Sequence, residues 1–150
     1  MNAMLNGLLL LALGIWLGSI IFFSFVVAPV LFRVLSPSDA GKVVRAVFPV
    51  YYLIGMVCGV VAVLTLWGLT SGPGWAPATL WQVGLLLVMV LINLYARQSL
   101  MPRINAARDA GQMQQQQFDR LHRQSVILNG VVLVLGLIVM ALIGGTATLI

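Results

Sequence analysis

The sequence predicts an all-α fold, an integral membrane bundle of four transmembrane helices with a short interfacial helix after the first span. Three observations predict it. Of 150 residues 61% are hydrophobic and only 7% charged, where a soluble domain carries about a quarter charged. The apolar residues gather into four stretches, each near the roughly 20 residues that cross about 30 Å of hydrocarbon. All eight basic residues fall into the two connections that a four-span arrangement places on one side. Backbone amides in hydrocarbon need internal partners, and a helix supplies them without help from neighbours. Residues 1–150 therefore read as a single four-helix transmembrane domain.

The first span lies within residues 5–32. Its leading "MNAMLNGLLLL" has no positive leader and the apolar run continues far beyond a secretion signal, so it is expected to stay in the mature chain. Trp16 falls inside this span beside Gly14 and Gly18 and is expected to pack between helices. After Arg33, Ser36 suits a helix cap, Pro37 the first helical position and Asp39 the positive helix start. Ala40, Val43, Val44, Val47 and Phe48 then recur on one face with Lys42 and Arg45 off it, which predicts a short helix on the inner membrane surface. Pro49 is expected to open the second span, which runs to residue 69. The third covers residues 80–96 and the fourth residues 126–150. Between them "RQSLMPRINAARDAGQMQQQQFDRLHR" reads as two helical extensions broken near Gly111, with a kink at Pro102 and a solvated glutamine face.

Arg33, Lys42 and Arg45 against Asp39 leave the first basic connection at +2. Five arginines against Asp109 and Asp119 leave the second at +3, which completes the net charge of +5. By the positive-inside rule both connections face the cytoplasm of a cell (inner or plasma) membrane, and both termini face away from it. Trp67, Trp75 and Trp81 near the outer turn, with Tyr51, Tyr52 and Tyr95 near the inner boundary, fit an interfacial belt. The same basic residues orient the spans, so nucleic acid is not an expected partner. The lipid bilayer is. Cys58 has no second cysteine to pair with and reads as a small core residue.

Gly14 with Gly18, and Gly55 with Gly59, form small-residue ridges that permit close helix approach. Packing within the bundle is their expected use, and homo-oligomer contact the lesser one. No carboxylate, lysine or histidine sits near the midplane, which counts against an ion-driven pump. Asn93 and Asn129 are expected to face the interior. His122 lacks the companions of a metal or haem site, so no cofactor and no metal are expected, and no catalytic constellation is visible. Phe118, His122, Ser125 and Asn129, spaced four, three and four, share one helical stripe running from water into the fourth span.

That stripe, "FDRLHRQSVILN", resembles the motif opening the last span of the transmembrane protein 205-like family. In order, "WLGSIIFFSFVVAPVLFRVL", "VFPVYY" and "NLYARQSLMPR" are similar to that family's first span, second-span start and third-span exit. The resemblance touches nearly the whole chain and implies a four-helix membrane protein without settled activity. The linker between the third and fourth spans is much shorter here than in the animal members. The expected site is polar and non-catalytic, at the cytoplasmic mouth, with Arg33, Tyr51, Arg97 and His122 converging and Ser125 and Asn129 continuing inward. A small-molecule exporter and a haem-binding oxidoreductase are the alternatives.

Overall fold

In a computed structural model, residues 2–69 and 77–147 are described, and they are helical almost throughout, with no strand among them. Trp75 and the outer turn around it lie outside the described residues. Helix α1 (Asn2–Phe22) passes through a π-helical turn (Phe23–Val27) into α2 (Ala28–Val34). Helix α3 spans Pro37–Leu69. Helix α4 (Pro77–Tyr95) passes through a second π-helical turn (Ala96–Leu100) into α5 (Met101–Asp109). A short 3₁₀ turn (Gly111–Gln114) leads to α6 (Gln115–Ala147). These make four rods long and apolar enough to cross a membrane.

The rods close a ring in which α1 packs on α3, α3 on α4, α4 on α6, and α6 more lightly on α1. Helical periodicity sets each buried stripe. On α1 it is Leu9, Leu13, Trp16, Leu17 and Ile20, and on α4 Gln82, Leu86, Met89 and Asn93. Trp16 is the centre of the core, 1% exposed and seated against Gly55 and Gly59, as its place within the first span predicts. A Cβ on Gly59 would stand 2.5 Å from Val90 and 2.8 Å from the Trp16 ring, closer than packed atoms allow. The 55–59 ridge is thus used inside the chain. A Cβ on Gly14 or Gly18 would meet nothing within 4 Å, so only that pair of the four glycines leaves a face open.

The amphipathic stretch after the first rod is helical and begins as expected, with the Asp39 amide donating to Ser36 Oγ at 3.2 Å. It is not a separate interfacial helix. Residues 37–48 continue unbroken into the second span, and Pro49 lies inside the helix instead of starting it. Proline removes one bond to the carbonyl four residues back. The extension ahead of it is tied to α5 by the Arg45–Asp109 ion pair and by the hydrogen bonds of Arg45 and Arg108 to backbone carbonyls.

The other prolines act differently. Pro29 and Pro102 each occupy the second residue after a π-helical turn, where Ala28 N–H reaches Phe23 O and Met101 N–H reaches Ala96 O, one residue further back than in an α-helix. Widening the turn ahead of a proline re-pairs backbone groups that its ring would leave stranded. The chain reverses at Gly111, which adopts φ +64°, a conformation glycine enters without steric cost.

Candidate functional site

The charged end of the bundle is where α6 enters it, and the stripe from Phe118 to Asn129 faces inward there. Ser125 is buried, Asn129 half-buried, and His122 exposed at the rim. Tyr51 Oη donates to Asn129 Oδ1 at 3.3 Å, and Tyr52 Oη lies 3.2 Å from Ser125 Oγ. Two adjacent tyrosines on α3 therefore hold two successive polar groups of α6. Phe23 and Phe48 pack around them with ring centroids 5.2–5.8 Å apart, which shields both hydrogen bonds. His122 stacks on Phe118 at 5.8 Å with an interplanar angle of 6°.

The opposite wall is α5 clamped to the extension of α3. Arg45 Nη2 and Asp109 Oδ1 pair at 2.7 Å, and Arg45 also donates to the Asn105 carbonyl at 3.4 Å. This arginine holds the Asp109 carboxyl below the usual carboxylate range, chiefly through its hydrogen bonds. Arg108 Nη2 donates to the Pro37 carbonyl at 2.6 Å, and its guanidinium lies 5.9 Å from the Phe118 ring. Room for it comes from Gly41, where a Cβ would fall inside the guanidinium. Among the described residues Arg108 forms no ion pair.

Two cavities adjoin between these walls. One, of about 340 Å³, opens at the charged end and is lined by Arg45, Asn105, Arg108, Gln115 and His122, with Tyr52 and Ser125 at its inner side. The other, of about 320 Å³, is an apolar groove between the first and fourth rods, lined by Phe23, Phe25, Val126, Asn129, Gly130 and Leu133 among others. They share Phe32, Phe48, His122 and Ser125.

The structure thus joins Tyr51 to Asn129 and places His122 and Ser125 where the cavities meet. Arg33 and Arg97 stand apart from it. Arg33 is exposed on the last turn of α2, and Arg97 Nη1, in the second π-helical turn, lies 3.9 Å from Met56 Sδ on α3. Neither lines either cavity, because the helix faces that carry them turn away from the mouth. Sequence reasoning missed Tyr52, Arg45 and Arg108. The doubled tyrosine was the available signal for the first. Nothing in the local sequence tells that Arg108 reaches a carbonyl 71 positions earlier. Asn93 is buried as expected, yet its Nδ2 finds no acceptor and wedges against Gly55. No group of three metal-ligating side chains comes together among the described residues.

Comparison with known proteins gives a family without an activity. Residues 11–112 match the family model described as a domain of unknown function, DUF4149. The match stops short of α6, so the stripe beginning at Phe118 lies beyond it. An uncharacterized protein of Aquifex aeolicus (strain VF5) is 54% identical over 50 residues, 33% of this chain and 36% of that protein. The chain thus spans about a third of that relative's length. No solved structure matches. With the second and third rods and most of the first inside the matched region, the chain belongs to the DUF4149 family.

Proposed function

We propose that this is a non-catalytic membrane protein that holds a small anionic group at the cytoplasmic mouth of its bundle. The observation that carries the reading is the cavity of about 340 Å³ that gathers two guanidinium groups, an imidazole and the amides of Asn105 and Gln115 on one rim. Guanidinium forks suit carboxylate or phosphate oxygens, and one of the two, on Arg108, is not paired with a carboxylate among the described residues. The tyrosine-to-α6 hydrogen bonds make a rigid floor. The confinement of positive charge to this end supports a cytoplasmic orientation in a cell membrane, with the termini opposite. The motif resemblance to the transmembrane protein 205-like family supports the same four-span plan.

The test uses the detergent-purified full chain at constant ionic strength. Adding inorganic phosphate in place of chloride should raise the melting temperature in a saturable way, as ligand linkage requires. Arg108→Gln should abolish the rise. An unsaturable rise, or one that survives in the variant, overturns the reading. A Soret band in the purified protein would instead favour haem, for which the chain's one histidine offers a single imidazole ligand.

A further inference from the structure

The groove beside the anion cavity has a shape and a position that bear on the ligand. Its lining runs along α6 from His122 to Leu133, about 16 Å at helical rise, and it is apolar apart from Ser24 and the residues of the polar stripe. One leaflet of hydrocarbon is about 15 Å deep. The groove lies parallel to the rods, hence to the acyl chains around them. It opens sideways: Phe25, Phe32 and Val126 at its rim are 69%, 53% and 57% exposed, and α2 packs on α3 without comparable contact to α6. At its charged end it joins the cavity of Arg45, Arg108 and His122 through shared walls.

We infer that the two cavities form one site for an anionic membrane lipid of the same leaflet, one acyl chain in the groove and the headgroup phosphate at Arg108 and His122. The inference rests on reading the mouth as an anion site. Complementarity runs along the whole slot, with guanidinium donors where headgroups lie and a mostly apolar lining where chains lie. A lipid of the same leaflet already presents its phosphate at headgroup depth, an advantage that free phosphate lacks.

Native mass spectrometry of the full chain in detergent tests it, with hexadecyl phosphate, hexadecanol and inorganic phosphate as probes. Wild type should retain one hexadecyl phosphate and no hexadecanol. Gly130→Phe should fill the groove without a backbone clash, since a Cβ there meets nothing within 4 Å. Ser24→Phe does the same from the facing wall. Each should weaken hexadecyl phosphate retention severalfold by excluding the chain from the groove, while phosphate still raises the melting temperature. Arg108→Gln should lose both responses. If phosphate stabilises but neither groove variant affects hexadecyl phosphate, the lipid site is overturned and the anion site stands. If neither anion binds, both fall. Equal retention of hexadecanol also overturns the inference, because the headgroup would then contribute nothing.

Discussion

At the scale of single residues, the tightest constraint is the space around Trp16. A Cβ on Gly55 would come within 2.6 Å of the indole Nε1 and collide with the Asn93 amide, groups that are fixed by burial on all sides. Gly55→Ala should therefore cost about 1–3 kcal/mol, the usual range for overpacking, read as lowered resistance to unfolding in detergent. Gly14→Ala and Gly18→Ala should be neutral or stabilising by up to about 1 kcal/mol, since a helical glycine without a packing role is a liability. If those two variants instead reduce a dimer seen on sizing columns, their open face is an interface between copies. The bond between Tyr52 and Ser125 should show a coupling of about 0.6 kcal/mol in a double-mutant cycle of Tyr52→Phe with Ser125→Ala, the average for interhelical hydrogen bonds in membranes. A coupling of zero would mean that aromatic packing alone holds α6 there. His122, Ser125 and Asn129 were legible in the sequence because helical spacing puts them on one stripe, while Tyr51 on another helix was expected beside them only through the family resemblance. Arg108 was not, since its role depends on a glycine far away in sequence making room for it.

At the scale of elements, each π-helical turn sets the register of the helix leaving it. An extra residue in a turn rotates the downstream helix by about 100°, so the turn at Ala96–Leu100 decides which face of α5 meets α3. Replacing Pro102 with alanine removes the reason for that widening. In a Cys58→Ala background, a flexible bismaleimide should bridge an Arg45→Cys, Asp109→Cys pair readily with Pro102 present and poorly with Pro102→Ala. Equal yields would show that tertiary contacts, not the proline, hold the turn open. The clamp between α3 and α5 has a predictable acid limit. Asp109 is depressed in the folded state, so its stabilising effect is present above the ordinary carboxylate range and disappears as pH falls through the lowered value. Spin labels at Ala46→Cys and Arg103→Cys should hold one separation from neutral pH down to about pH 4 and lengthen below it. Lengthening already near pH 6 would assign the clamp to another group. Helix lengths and the reversal at Gly111 were readable from hydropathy and turn chemistry. Neither π-helical turn was, because the sequence shows a proline but not how the backbone absorbs it. The unbroken α3 was missed for a related reason, since a proline suits a helix start but does not forbid an interior place, and the contacts of the extension ahead of it with a distant helix are not visible in the sequence.

At the scale of the whole molecule, four rods with all charge at one end make a definite prediction about sidedness. Maleimide that cannot cross membranes should label Asp119→Cys in inverted vesicles and not in intact cells, with Cys58 again replaced by alanine. The opposite pattern would reverse the bundle and put the anion cavity on the outside. The rods are not equal partners. In the most apolar window of the fourth, 17% is buried within the chain, against 33% in each of the other three. The arrangement is a well-packed trio with a lightly seated fourth member.

That imbalance has a consequence for biogenesis. Because the chain is made from its N-terminus, the trio emerges ahead of α6, and until α6 follows the Tyr51 and Tyr52 hydroxyls lack the partners they hold in the finished protein. Arrival of the last rod quenches both and creates the slot along its flank in the same step. Assembly and the capacity to take up a guest would then be one event, and a chain ended after Gln112 should insert stably yet never acquire that capacity.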